Sequence, residues 1–201
     1  MQRSLVGSEM CIRDRDGIDL DFEWAENEKE YKDYSLAILK MREVLGDKYL
    51  FSVSLHPVCY KISKEAIEAV DFISLQCYGP SPVRFPIEKY CSDIQMVLEY
   101  GIPKEKLVAG VPFYGVTKDN SKKTEAYFNF VQNGLVTSPA QNEVIYQGDT
   151  YVFDGQDNIR IKTRYAKEQK LKGMMSWDLA TDLPLSDSRS LLKTMTEELR
   201  E

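Results

Sequence analysis

Histidine occurs once in 201 residues, and the four cysteines, Cys11, Cys59, Cys77 and Cys91, share no C-x-x-C spacing. Neither a zinc site nor a disulfide framework is expected from such a set, so the thiols are read as free core residues. Long apolar runs are lacking too. The longest, LVAGVPFYGV, is about half of what a transmembrane helix requires, and it contains Pro112, Gly110 and Gly115. Positive charge is scarce: 26 Lys and Arg stand against 32 Asp and Glu, a net charge of −6, and Lys122 with Lys123 is too small a cluster to make a basic stripe. Nucleic acid and anionic membranes, which need clustered positive charge, are therefore not expected as partners. A glycine-rich phosphate loop after a strand is also missing, which argues against a dinucleotide-binding sheet.

What is present is enough apolar residue, 43% of the chain, for one globular domain with a sizeable core. From Asp16 onward, strand-like runs alternate with amphipathic helices. Tyr31, Tyr34, Ile38, Met41 and Leu45 recur at three- and four-residue steps up to Gly46, the pattern of a surface helix. The strand YLFSVSLHP follows, then a short helix capped near Ser63, the strand VDFISLQCYG, and a helix opened by Pro86 that stops at Gly101. KLVAGVPFYG reads as one further strand, residues 122–133 as helical, EVIYQGDTYVF as a hairpin turning at Gly148, and TRYAKEQKLKG as a helix ending at Gly173. The strand MMSWDL and a helix from about Ser188 to Leu199 close the chain.

This rhythm, with strand runs apolar on both parities, is that of a parallel sheet covered by helices, either doubly wound or a barrel. Polar and aromatic residues gather at the strands' C-terminal ends, where a (β/α)8 barrel places its active site: Glu23, His56, Gln76 with Tyr78, Tyr114, and Trp177 with Asp178. The barrel is the better reading.

The segment RDRDGIDLDFEW sets Asp19, Asp21 and Glu23 on alternate positions between Ile18, Leu20 and Phe22. On a strand the three acids share one face. A half-buried strand showing an acidic face to water would carry the same pattern. In a partly desolvated site, however, three carboxylates spaced about 7 Å apart cannot all ionise at no cost, so at least one pKa must rise, which suits a general acid.

DGIDLDFE closely resembles the signature of glycoside hydrolase family 18, the chitinases and endo-β-N-acetylglucosaminidases, whose fourth barrel strand ends in acids at this spacing. QCYG resembles the family's sixth strand, GVPFYG its seventh and GMMSWDLATD its eighth, in the right order. The resemblance implies an α/β fold, part of a TIM (β/α)8 barrel comprising strands four to eight with their helices. The reaction it implies is hydrolysis of β-1,4 linkages between N-acetylglucosamine residues, in chitin or chito-oligosaccharides, with retention of configuration and no cofactor or metal. Glu23 would be the proton donor. The substrate's own acetamido oxygen would attack the anomeric carbon, Asp21 would orient that group and offset charge on the oxazolinium, and Asp19 would tune Asp21 by sharing a proton. Tyr78 would hydrogen-bond the acetamido oxygen and Trp177 would floor the sugar subsite. Gln76, where many members have methionine, and Tyr114 join the substrate-binding set. Gly79 departs from the pattern, since an acid or amide often follows that tyrosine. His56, a lone histidine, is read as structural, and Asp178 and Asp182 as either cleft-bordering or capping residues. The span between the seventh and eighth strands, with one hairpin, is read as too small for the insertion that walls a deep groove.

The same comparison expects three strands ahead of DGIDLDFE, where this chain has fifteen residues. SLVGSEMCIRDR resembles a peptide produced when a sequencing adaptor is read through as coding sequence. Residues 1–15 are accordingly expected to be a foreign or disordered N-terminal segment, and residues 16–201 the C-terminal part of a family 18 catalytic barrel. The intact parent would be secreted or periplasmic. Other functions compatible with the motifs are an endo-β-N-acetylglucosaminidase acting on N-glycan cores and a non-hydrolytic, lectin-like chitin-binding protein, although such lectins usually lose the glutamate retained here as Glu23. A purely structural α/β domain with surface acids is the remaining alternative.

Overall fold

A computed structural model describes residues 16–200. The expected foreign or disordered segment, residues 1–15, lies outside the described residues, as does Cys11. The fold is α/β. Five strands, β1 (Gly17–Asp21), β2 (Leu50–Leu55), β3 (Phe72–Leu75), β4 (Leu107–Pro112) and β9 (Gly173–Trp177), form one parallel sheet in the order β1-β2-β3-β4-β9. Each crossover carries helix: α1 (Glu28–Leu45), α2 (Lys64–Ala69), α3 (Ile87–Tyr100), and, after β4, α4 (Tyr127–Gln132) and α5 (Gln156–Glu168). The last helix, α6 (Leu191–Arg200), packs on α5.

Local signals set the ends of these elements. Asn27 accepts the Glu30 N–H at the start of α1, and Ser63 accepts the Ala66 N–H at the start of α2. Such side-chain caps satisfy backbone donors that the first helical turn leaves unpaired. Pro86 precedes α3, and Gly101 stops it in the left-handed conformation. α6 begins where Asp182 accepts hydrogen bonds from the Ser190 hydroxyl and from the Leu191 and Leu192 N–H groups. Asp182 is thus a capping residue.

The faces of β2 and β3 differ, because alternation sends successive side chains to opposite sides. Phe51, Val53, Leu55, Ile73 and Leu75 are buried against the helices. Ser52, Ser54 and Ser74 share the opposite face with the end residues His56 and Gln76, all of them buried. The sheet is therefore apolar on one parity only along these strands, not on both as the run compositions suggested. That polar face lies beside the acids of β1, since Asp19 pairs with Ser52 and Asp21 with Ser54 in register.

Between β4 and β9 the structure departs from the expected single strand, helix and hairpin. The chain breaks at Phe113, which is fully buried, and β5 (Tyr114–Thr117) starts a second sheet with β6 (Thr124–Ala126), β7 (Glu143–Tyr146) and β8 (Asp149–Val152). This sheet is antiparallel, in the order β6-β5-β8-β7. β6 is three residues long, too short to show a period, which is why residues 122–133 read as helix throughout. The β7–β8 hairpin turns at Gln147 and Gly148, with φ of 51° and 88°, the pair of positive values that a two-residue hairpin turn requires. An aromatic cluster fills the space beneath the second sheet: the Phe130 ring lies 5.5 Å from Tyr151 and 5.4 Å from Phe153, and Tyr127 lies 5.7 Å from Phe153. Below it, Lys162 and Asp154 form an ion pair at 2.6 Å with both side chains at zero exposure. Asn158 also donates to Asp154, and the Lys162 ammonium sits 5.4 Å over the Tyr90 ring.

Candidate active site

The C-terminal ends of the parallel strands surround a hollow of about 220 Å³. Six of the seven residues expected from the sequence line it: Asp21, Glu23, Gln76, Tyr78, Tyr114 and Trp177. They converge because parallel strands all deliver their next residues to the same edge of the sheet. Asp21 ends β1 and Glu23 follows two residues later, on the same parity. Gln76 and Tyr78 follow β3, Tyr114 lies just across the break after β4, and Trp177 ends β9.

Asp19, the seventh, sits one step further back on β1. It accepts hydrogen bonds from the hydroxyls of Ser52 and, at 2.8 Å, Ser54. Both of its oxygens are thus engaged by β2, and its charge bears on Asp21. Asp21 itself has a raised pKa. Burial contributes most, the Asp19 charge adds to it, and the Gln76 amide, which donates to Asp21 Oδ1 at 3.1 Å, pulls the other way. Gln76 therefore bears on the neighbouring carboxylate, a relation that its assignment to substrate binding did not anticipate.

Tyr78 is 6% exposed, and its hydroxyl lies 3.6 Å from Met175 Sδ, a weak acceptor. Burial, Tyr114, Asp21 and Glu23 all raise its pKa, so the hydroxyl keeps its proton and can donate. Room for the ring comes from Gly110 on β4: a Cβ there would stand 2.9 Å from Tyr78 Cε1 and 2.7 Å from the Leu75 carbonyl oxygen. Tyr114 packs edge-on to Tyr78 at 6.4 Å and has a pKa raised by burial. Trp177 is 54% exposed, so its ring is available to a ligand rather than committed to the core.

Trp177 also divides this hollow from a second one of about 300 Å³, which shares Pro80 and Tyr114 and adds Glu125 and Asp178. Asp178 both borders that second hollow and caps the turn Leu179–Thr181 by accepting the Thr181 N–H. Glu125 and Thr124 come from β6, so the small antiparallel sheet walls one side of the cleft.

Three further lining residues have no place in the site expected from the sequence: Trp24, which there only ends the acidic segment, His56, which reads as structural, and Pro80. The available signal for His56 was its parity: in LFSVSLH it follows Ser52 and Ser54 on the face that meets the acids. Among the described residues no group of His, Cys, Asp and Glu side chains could hold a metal ion. Cys59 and Cys77 are buried free thiols, and Cys91 is half-buried.

Known proteins agree with this architecture. The chain is 23% identical to "Probable chitinase 2" of Drosophila melanogaster over 83% of its own length and 47% of the relative's. It thus spans about half the length of the curated relatives it matches. Among solved structures it superposes on the GH18 chitinase ChiB from the chitin utilization locus of Flavobacterium johnsoniae with a TM-score of 0.76 and 27% identity, covering 96% of this chain and 63% of that one. It shares its fold, at a TM-score of 0.69 and 18% identity, with a plant class V chitinase mutant from Cycas revoluta in complex with (GlcNAc)3, covering 92% of this chain and 68% of that one. The profile of the glycosyl hydrolases family 18 matches residues 10–182, most of the sequence, and the chain belongs to that family.

Proposed function

We propose that residues 16–201 form part of a glycosidase that hydrolyses β-1,4 linkages between N-acetylglucosamine residues, and that the five parallel strands correspond to the fourth to eighth strands of a (β/α)8 barrel. The observation that carries this reading is the convergence of Asp21, Glu23, Tyr78 and Trp177 on one hollow at the C-terminal edge of the sheet. Family membership and the chitinase names of the relatives support the substrate class.

In the proposed reaction the sugar stacks on the exposed Trp177 ring and its acetamido group lies between Asp21 and Tyr78. Tyr78, held protonated, donates to the acetamido oxygen and sets its position. Glu23 protonates the glycosidic oxygen as the bond to the leaving sugar breaks, while the acetamido oxygen attacks the anomeric carbon. Asp21 accepts the acetamido N–H and offsets the positive charge of the cyclic intermediate. Glu23, now a carboxylate, takes a proton from the water that opens the ring, and configuration is retained. The Gln76 amide supports this assignment by favouring the charged form of Asp21, which burial and Asp19 oppose. The second hollow beyond Trp177 supports a substrate of more than one sugar.

Substituting Glu23→Gln tests the reading. Turnover of a fluorogenic N-acetylglucosamine oligomer should fall by roughly two to four decades, the usual size of general acid catalysis, with oligomer binding retained. Turnover within a few-fold of the unmodified chain would remove Glu23 from the chemistry. Oligomer binding without turnover in the unmodified chain would favour a lectin-like protein instead.

A further inference from the structure

The one histidine of the chain stands where two walls of the hollow meet. His56 follows β2 and is 8% exposed. Its backbone N–H donates to the Cys59 carbonyl at 3.2 Å and its carbonyl accepts from the Cys59 N–H at 2.7 Å, which closes residues 56–59 into a tight reversal. Within that reversal the Val58 N–H donates to Nδ1 at 3.2 Å. The Nδ1 lone pair is thereby occupied, and the ring proton falls to Nε2. Nε2 lies 3.0 Å from the Tyr78 carbonyl oxygen, which can only accept, so Nε2–H donates to it. Both partners are backbone atoms, and together they define a single tautomer.

The same imidazole meets Trp24 edge to face, with centroids 4.3 Å apart and planes at 74°. The reversal also grips the next residue, since the Ala25 N–H donates to Cys59 Sγ at 3.1 Å. The segment that follows Glu23 therefore rests on residues 56–59, and so does the backbone of Tyr78 across the hollow. No side chain intervenes at Gly79, where a Cβ would lie 3.8 Å from Nε2. The ring also stays neutral. Burial and the positive charge of Arg84 hold its pKa down to about 4, with Lys89 adding to the effect and the Tyr78 carbonyl and Asp93 opposing it.

We infer that His56 is a positioning residue for the reaction proposed above: its Nε2–H holds Tyr78 by the carbonyl and its ring holds Trp24, fixing the distance between the Glu23 side and the Tyr78 side of the hollow. The inference rests on that reading of the site. It gives His56 no proton transfer, because both nitrogens are already engaged by backbone. Small displacements between groups that act on one substrate reduce turnover steeply, so the effect belongs in kcat.

Two measurements test it. In the unmodified chain the ¹⁵N spectrum of the single imidazole at pH 6 should show a protonated Nε2 and an unprotonated Nδ1; a proton on Nδ1, or on both nitrogens, would overturn the inference. For turnover, His56→Ala should lower kcat by about tenfold or more, with KM moving much less. His56→Gln, which keeps an N–H for Tyr78, and His56→Phe, which keeps a ring for Trp24, should each restore part of the loss. A purely structural histidine would instead give three variants with lowered unfolding midpoints and unchanged kcat when assayed below them. If the unmodified chain and Glu23→Gln turn over alike, the reading of the site fails and the inference with it. If the unmodified chain is active and His56→Ala equals it, the inference alone fails.

Discussion

Replacing Gln76 by methionine removes one hydrogen bond from Asp21 at nearly constant side-chain volume, which keeps the packing cost below about 1.5 kcal/mol. Gln76 is 8% exposed and its amide donates to Asp21 Oδ1 at 3.1 Å. A hydrogen bond to a charged group contributes about 1.5–3 kcal/mol when well shielded. Asp21 is only partly shielded from solvent, and screening cuts the figure to roughly 0.5–1 kcal/mol. Because the amide favours the ionised carboxylate, its loss moves the Asp21 pKa further in the direction that burial and Asp19 already push it, upward. If ionised Asp21 orients the acetamido group, the acid limb of the kcat/KM profile moves to higher pH. On that limb the rate follows the ionised fraction, so the variant should be about two- to fivefold slower there, and equal to the parent on the plateau. The assay is kcat/KM for a fluorogenic N-acetylglucosamine oligomer across pH, with Asp21→Asn as the control that removes the titrating group. Because Asp19, Asp21 and Glu23 sit close together, the profile reports the cluster, and the comparison is between variants rather than with an absolute value. A loss of equal size at every pH would mean that Gln76 contacts the sugar directly. An acid limb displaced to lower pH would refute the electrostatic argument.

Other substitutions separate cleft from core. Trp177→Ala should weaken oligomer binding by about 1–2 kcal/mol through lost stacking, read by titration calorimetry. With the ring 54% exposed, the unfolding free energy should stay within about 0.5 kcal/mol; a large loss of stability at unchanged affinity would place the ring in the core. Lys162→Met leaves the Asp154 carboxylate buried without its cation and should cost about 3–5 kcal/mol in denaturant unfolding. The double variant Lys162→Met with Asp154→Leu should recover most of that loss; failure to recover would mean that Lys162 contributes through its ammonium over the Tyr90 ring, at 5.4 Å, and the Phe85 ring, at 6.0 Å.

Much of this site was legible in the sequence because a parallel α/β sheet converts order along the chain into position along one edge. Asp21, Glu23, Gln76, Tyr78, Tyr114 and Trp177 each stand at or just beyond a strand end, and short-range periodicity suffices to find strand ends. Features that depend on register were not legible. That Ser52 and Ser54 face Asp19 follows from the pairing of β1 with β2, and neither strand alone states its neighbour's alignment. His56 looked isolated because its partners, Val58 N–H and the Tyr78 carbonyl, are backbone groups with no residue signature. The antiparallel sheet was reduced to one hairpin because β5 follows β4 after a single residue and β6 is only three residues long. Only β7 and β8, joined by Gln147 and Gly148, carried turn chemistry that the sequence displays.

The break at Phe113 has a mechanical consequence. One residue is too short to act as a hinge, and this one is fully buried, with its carbonyl accepting the Tyr127 N–H from α4 and its own N–H bound to the Trp177 carbonyl. The antiparallel sheet is thus bolted to the same strand pair that carries Trp177, and the aromatic cluster of Phe130, Tyr151 and Phe153 stiffens it from beneath. A wall fastened in this way is tied at its root to β4 and β9. If the cleft takes a chito-oligosaccharide as proposed, this wall needs little ordering on binding, and little free energy is lost from the affinity on that account. Residence of such a ligand would then follow the number of sugar rings that touch the cleft at once.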